Sequence, residues 1–272
     1  MKVSFIIPCR DGGPTLASTL RSVLAETEEG DEILVVDNGS RDESCAIAAT
    51  FPVQLLSCPR KGAAWARNHG AWKARGEALA FVDADVELLP GWRRAMVAAL
   101  DGHQAARGTL WPAPPEGRLR TLDRYRWALK HRRTDGSFIE GNVGFPLINT
   151  AACMLRTEVF LAMGGFDTAL ERLEDTDLSL RYRLNNHGTA SAPEARALVR
   201  FGGTGWCYLG RSFATGRAMA RLQQRWGGQL CFEGHPTILS GPLYLFDAIN
   251  ALARGCGQHI STGERLTAHG KG

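Results

Sequence analysis

The feature that most constrains this chain is the alternation of strand-like and helix-like runs over residues 1–100. "VSFIIP" (Val3–Pro8), "EILVVD" (Glu32–Asp37), "VQLLS" (Val53–Ser57) and "ALAFVD" (Ala78–Asp83) are short, β-rich and almost wholly apolar. Between them lie "PTLASTLRSVLAE" (Pro14–Glu26), with apolar residues at helical spacing, a helix running from a Ser40-x-x-Glu43 capping box towards Thr50, and the glycine-bounded "GAAWARNHGAWKARG" (Gly62–Gly76). Strand-helix alternation of this kind predicts a mainly parallel, doubly wound α/β sheet. Such sheets bind ligands at the carboxyl ends of their strands. Three of these strands end in polar residues: Pro8-Cys9-Arg10-Asp11, Asp37-Asn38-Gly39-Ser40 and Asp83-Ala84-Asp85. Parallel strands would gather all three on one edge.

The last of these ends is the most informative. Alternation along an extended chain would put Asp83 and Asp85 on the same side. Their repulsion then needs an offset. A solvated strand end leading into a helix is one reading of the pair, and a divalent cation is the other. The convergence of three polar strand ends favours the cation.

Beyond residue 100 the pattern loosens. "RLRTLDRYRWALKHRR" (Arg118–Arg133) reads as a basic helix, and "TDGSFIEGNVGFP" (Thr134–Pro146) as a glycine-rich, mobile loop. "INTAACMLR" is a strand or buried run, and "TEVFLAMGG" (Thr157–Gly165) a short helix ended by glycine. "LEDTDLSLRYRLNNHG" (Leu173–Gly188) reads as an amphipathic helix with Leu178, Tyr182 and Leu184 on or near one face. An Arg-rich helix follows Trp206, a second apolar helix is expected over 238–253, and a loose Gly-rich tail from Arg254. There is no internal repeat.

Composition then excludes several classes. The formal net charge is only +4, and no long basic run or interleaved aromatic stripe points to nucleic acid. Seven cysteines at wide, irregular gaps form no C-x-x-C pair and no zinc spacing, as expected of reduced thiols in the cytoplasm. No window reaches the roughly 18 apolar residues of a membrane span. A soluble protein is expected, at most peripheral on the membrane through its Arg-rich C-terminal helices.

Four motifs in order carry a family resemblance. They are "VSFIIPCRDGGPTLASTLRSVLAET", "EILVVDNGSRDES", "RKGAAWARNHGAWKARGEALAFVDADVEL" and "GGFDTALERLEDTDLSLRYRLNNHG". In these the chain resembles glycosyltransferase family 2, the inverting enzymes with the GT-A fold: an opening strand and helix, an acidic D-x-G-S loop, a G-x-x-x-A-R-N-x-G helix followed by the D-x-D strand, and an E-D-x-D-L motif. The resemblance covers roughly residues 2–201. It implies a GT-A domain over 1–205 (1–100 for the nucleotide-sugar, 101–205 for the acceptor), C-terminal helices over 206–253 and a flexible tail over 254–272.

The resemblance also implies roles. Pro8 and Arg10 would floor the nucleotide base, Asp37 and Asn38 would bind base or ribose, and Arg67 would contact the nucleotide. Asp83 and Ala84 would line the ribose and diphosphate. Asp85 would hold Mg2+ or Mn2+ bridging the diphosphate of a nucleotide-sugar, with UDP- or dTDP-sugars favoured. Of the second acidic cluster, Glu171, Glu174, Asp175 and Asp177, the resemblance makes Asp175 the general base for the acceptor hydroxyl, with Glu174 the runner-up and Asp177 capping or orienting. Negative charge at a helix N-terminus is the structural alternative for the whole cluster.

The chain also departs from the pattern. Arg10 stands where an aromatic residue is common, and Asn38 where a second Asp is common. "APEARALVRFGG" offers Val199, Arg200 and Phe201 but no His after its strand, which weakens the case for a metal. "QQRW" (Gln223–Trp226) has Leu222 where the Q-x-x-R-W motif of processive synthases needs Gln, so a non-processive transferase is expected. Two alternatives stay open: a sugar-phosphate nucleotidyltransferase, although "PCRDGGPT" lacks the Arg- and Lys-bearing loop it would want, and a catalytically weak or inactive nucleotide-sugar-binding relative. A dinucleotide oxidoreductase is disfavoured, since no G-x-G-x-x-G follows the first strand. The acceptor would be met by residues 108–146 and the C-terminal helices, where Trp111, Tyr125, Trp127 and Trp206 either stack on it or fill the core.

Overall fold

In a computed structural model, residues 1–113, 145–200 and 205–229 are described. The expected helices over 118–133 and 238–253, the tail, nearly all of the 134–146 loop, Tyr125, Trp127 and the side chain of Trp206 lie outside the described set.

The strands are β1 (Val3–Cys9), β2 (Glu32–Asp37), β3 (Gln54–Ser57), β4 (Ala78–Val82), β5 (Val86–Leu88), β6 (Ala105–Pro112), β7 (Ala152–Arg156) and β8 (Thr189–Val199). The helices are α1 (Gly13–Glu26), α2 (Ser44–Ala49), α3 (Ala63–Lys73), α4 (Trp92–Ala99), α5 (Thr157–Ala162), α6 (Glu174–Leu184) and α7 (Gly205–Trp226). The sheet runs β3-β2-β1-β4-β7-β6-β8-β5. β3, β2, β1 and β4 are mutually parallel, whereas β7 runs antiparallel to both β4 and β6. The mixed, mostly parallel sheet flanked by helices is the GT-A architecture expected from the sequence.

β1, β2 and β4 read as unbroken apolar runs because both faces are covered, whereas β3 at the sheet edge is largely exposed. Val3, Phe5 and Ile7 of β1 join one buried cluster with Leu16 and Leu20 of α1 and Trp92 and Met96 of α4. Ile6 joins a second cluster on the other face, with Ala66 of α3, Phe160 of α5 and Tyr182 of α6. Gly70 allows this close helix-sheet approach, since a Cβ there would lie 2.6 Å from Cγ2 of Ile6. A smaller cluster of Phe145, Leu147, Leu170, Leu180 and Leu222, with Leu173 and Trp226 against it, glues α7 to α6.

Three local expectations need correction. The Ser40-x-x-Glu43 capping box does not form: the Ser40 N–H donates to Asp37, its hydroxyl accepts from the Asp11 N–H, and α2 begins at Ser44 instead. Asp83-Ala84-Asp85 is a turn rather than extended strand, with Val86 N–H donating to the Asp83 carbonyl at 3.0 Å, so simple alternation does not set its side-chain directions. α6 ends at Leu184 and is not one-sided. Leu178 and Tyr182 pack against the sheet, Leu180 is buried in the α7 cluster, and Leu184 is exposed. A helix covered on two sides needs no single apolar stripe.

The Arg-rich helix is real, and three of its arginines pair with the loop that precedes α6. Arg217 pairs with Glu171 at 2.7 Å, Arg221 donates to the Ala169 carbonyl at 3.0 Å, and Arg225 pairs with Asp167. Four-residue spacing puts all three on one helix face. These arginines engage the protein's own loop over 167–171 while their side chains stay partly or largely exposed. Among the described residues no helix is long and apolar enough to cross a membrane.

Candidate active site

The carboxyl ends of β1, β2 and β4 meet on one edge, as parallel pairing requires. At the end of β1, Pro8 is half-buried and Arg10 exposed. At the end of β2, Asp37 accepts N–H groups from Gly39 and Ser40 at 3.2 and 3.1 Å. Partial burial pulls its pKa up, but the Ser40 and Gly39 hydrogen bonds outweigh that and hold it below the ordinary value. Asn38 turns the other way. It is buried, its Nδ2 donates to the Arg60 carbonyl at 2.7 Å, and its Oδ1 accepts the Gly62 N–H at 2.8 Å. Its amide thus fixes the loop entering α3. Nearby, the Arg60 guanidinium lies 4.4 Å from the centre of the Trp65 ring.

The Asp83–Asp85 turn is clamped from beneath. The Ala84 carbonyl accepts hydroxyls from Thr15 at 2.8 Å and Thr19 at 3.0 Å, both on α1. The Asp85 carbonyl accepts the Arg200 N–H at 2.8 Å. All three side chains of the turn are half-buried. Arg200, at the position where a His was sought, directs its Nε to Glu87 at 2.7 Å.

The repulsion expected at this turn is offset by a group that sequence spacing did not reveal. Arg67, only 6% exposed, donates to Asp83 Oδ1 at 2.7 Å and to Glu174 Oε1 at 2.6 Å. Its guanidinium also stands 5.8 Å from the Phe166 ring centre. Burial works against the charge, but Asp83 and Glu174 overcompensate and hold its pKa above the ordinary arginine value. One cation therefore joins the strand-end turn to the start of α6, 107 residues away. Its neighbour Asn68 makes a second bridge, exchanging two hydrogen bonds with the Phe166 backbone at 2.8 and 2.9 Å. Gly165, at φ +71°, leaves room for that amide; a Cβ there would lie 2.6 Å from Asn68 Oδ1. The A-R-N-x-G string thus has a separate task for Arg67, Asn68 and Gly70.

α6 opens at Leu173, a non-glycine residue at φ +63° with no side-chain cap. Glu174, Asp175 and Asp177 occupy its first turn, where the helix dipole favours negative charge. Their environments differ. Glu174 is on Arg67. Asp177 is fully buried, accepting from Arg181 at 2.8 Å and from the Trp226 indole N–H at 2.9 Å. Asp175 has only the Thr176 N–H at 2.7 Å and a long Thr176 hydroxyl contact at 3.3 Å. Loss of hydration, and then repulsion from Glu174, push its pKa up to about 6 against the weaker pull of Thr176 and Arg67. A carboxylate tuned towards neutrality beside two partnered carboxylates is the pattern of a general base.

The residues also suit a divalent ion. No group of three or more His, Cys, Asp or Glu able to hold a metal occurs among the described residues. Mg2+ and Mn2+ on nucleotides need less: one or two carboxylates, completed by phosphate oxygens and water. Asp83 and Asp85 are the carboxylates of the strand-end turn that could serve, and Asp83 has one oxygen committed to Arg67.

Residues 4–160 match the sequence model of a family described as Glycosyl transferase family 2. An uncharacterized glycosyltransferase, YibD, from Escherichia coli K12 is 33% identical over 155 residues, 48% of this chain and 45% of its own length. The succinoglycan biosynthesis protein ExoO of Rhizobium meliloti is 33% identical over 150 residues, 53% of this chain and 43% of its own. The match thus spans less than half the length of either relative. Among solved structures, the mannosyltransferase PcManGT from Pyrobaculum calidifontis, in complex with GDP-Man and Mn2+, superposes with a TM-score of 0.59 at 17% identity, covering 99% of this chain and 75% of that one. At that identity the likeness shows a shared fold.

Proposed function

The chain belongs to glycosyltransferase family 2, and from that premise we propose that it moves a sugar from a nucleotide-diphosphate sugar to an acceptor hydroxyl, in one displacement that inverts the anomeric carbon. The observation that carries this reading is the convergence at Arg67. The guanidinium joins the strand-end carboxylate Asp83 to Glu174, which stands beside the raised, half-buried Asp175.

In this reading residues 1–100 bind the donor and 101–205 the acceptor. Pro8 and Arg10 floor the base, Asp37 meets base or ribose, and Asn38 shapes the adjoining loop. Asp83 and Ala84 line the ribose and diphosphate, with Arg67 holding Asp83 in place. A Mg2+ or Mn2+ ion on Asp85 would supply positive charge to the departing diphosphate. Asp175 takes the acceptor hydroxyl proton as the oxygen forms its bond to the anomeric carbon and the bond to the diphosphate breaks, its electron pair leaving with the phosphate oxygen. Glu174, already ion-paired, is the less available base. UDP- and dTDP-sugars are the donors we favour. A single transfer per encounter is favoured because Leu222, in place of the synthase Gln, is buried against α6. The free thiols of Cys9, Cys45, Cys58 and Cys153 suit a reducing, cytoplasmic setting.

The test is Asp175→Asn in a panel of UDP-, dTDP- and GDP-sugars with Mn2+ and cell extract, products read by mass spectrometry. Transfer should fall about 10²–10⁴-fold, the usual size of a general-base contribution. Donor affinity and melting temperature should hold. Full activity would move the role to Glu174; a loss that only tracks the folded fraction would reduce the cluster to helix capping.

A further inference from the structure

α7 grips the turn that carries Asp175 at both of its ends. At the closing end, Asp177 donates its N–H to the Leu173 carbonyl at 3.0 Å, completing the first turn of α6. Its buried carboxylate accepts the Trp226 indole N–H at 2.9 Å, with Arg225 3.4 Å away. At the entry, Leu173 sits in left-handed backbone, at φ +63°, which is strained for a non-glycine residue. Its side chain packs in the cluster of Leu222, Trp226, Leu170 and Leu180. That packing supplies the constraint that an uncapped, strained entry needs. Glu174 and Asp175 project from the stretch between these two fixed points.

We propose that α7 is a positioning element for the reaction, with Trp226 and Arg225 holding the Leu173–Asp177 turn so that Asp175 faces the anomeric carbon. Neither residue touches the reacting atoms; both act through Asp177, and Leu222 supports them through Leu173. The proposal rests on Asp175 as the base. It also gives "QQRW" a use other than a processive-synthase motif: the Arg and Trp remain while Leu222 turns the preceding position into packing.

If the grip fails, the first turn of α6 opens to water. The groups facing Asp175 are Glu174 beside it, Arg67 from α3 and Cys153 from β7. Among the described residues none of these groups is supplied by α7, whose hold on Asp175 runs through the turn.

The experiment compares wild type with Trp226→Phe, which keeps an aromatic ring but removes the indole N–H, and with Arg225→Gln, at a half-exposed side chain that tolerates change. Arg217→Ala, on the same helix face but paired with Glu171 away from the turn, is the control. The Asp175 carboxyl is titrated by carbon-13 NMR, its signal assigned by its loss in Asp175→Asn, and kcat and donor KM are measured on the same preparations. Trp226→Phe should lower the Asp175 midpoint from about 6 towards that of a hydrated aspartate and cut kcat by about 10- to 100-fold, the scale of a misplaced catalytic group, with donor KM unchanged. Arg225→Gln should do the same more weakly, and Arg217→Ala should leave the midpoint alone. An unchanged midpoint in folded Trp226→Phe overturns the proposal, as does an equal shift in Arg217→Ala. A shifted midpoint in a protein that transfers no sugar keeps the positioning role and rejects the transferase reading; transfer with an unmoved midpoint does the reverse.

Discussion

At the strand edge, the backbone carbonyls of the Asp83–Asp85 turn accept from neutral groups: backbone N–H donors of Val86 and Arg200, and the hydroxyls of Thr15 and Thr19. At the entry to α6, the Leu173–Asp177 turn is held mostly by charge, through Arg67 on Glu174 and Arg181, Arg225 and Trp226 on Asp177. The difference follows from what each turn is attached to. A strand end inherits its position from the ladder beside it, so hydroxyls suffice to trim it. A helix entry between a loop and a surface helix has no ladder, and directional charged hydrogen bonds must fix it. Arg67 reaches both turns.

Removing Arg67 is the strongest way to break this contrast. Arg67→Met keeps the volume but leaves Glu174 buried without its cation and Asp83 half-buried without its partner. Unpairing a buried ion costs about 3–5 kcal/mol. Urea denaturation should show a loss of that order, and the backbone amides of both turns should exchange faster; unchanged exchange at both turns would refute the bridge.

Acidity separates the two turns next. Transfer should fall about tenfold per pH unit below about 6 as Asp175 takes up its proton, whereas an ordinary aspartate would hold activity to about pH 4. The stability effect of the same group has the opposite sign. Because its folded pKa lies above the ordinary 3.8, the folded chain keeps a proton between about pH 4 and 6 that the unfolded chain has lost, so this group favours the fold more as pH falls through that window. A rate profile flat to pH 4.5 would remove Asp175 as the titrating base.

Thr19→Val is the smallest step and confines itself to the strand-edge turn. It removes a fully buried hydroxyl from the Ala84 carbonyl, which keeps Thr15 as a partner. About 1 kcal/mol should be lost, together with donor affinity, while the Asp175 titration stays in place. A shifted Asp175 midpoint here would show that the two turns are not held independently.

Strand ends and their polar tips are legible in the sequence because period and apolar runs report local structure, and the parallel pairing of β1, β2 and β4 followed from that pattern. The partners of the tips are not. Arg67 lies 107 residues from Glu174 and Trp226 lies 49 from Asp177, and nothing in residue spacing encodes such meetings. Asn38 illustrates the same limit: its place at a strand end is visible in the sequence, but its inward turn depends on the Arg60–Gly62 loop. The helix over 174–184 misled in another way, since a second covered face erases the one-sided pattern that sequence reading looks for. The A-R-N-x-G string carried a signal after all, with Gly70 and Asn68 marking close approaches.

The shared guanidinium has a thermodynamic consequence. A ligand that draws Asp83 away from Arg67 leaves that cation more fully available to Glu174, and a ligand that engages Glu174 leaves it more available to Asp83. If donor and acceptor meet these two carboxylates as proposed, they do not bind as strangers. Whatever factor the donor applies to acceptor affinity, the acceptor applies to the donor, because the two factors are one free energy read from opposite ends.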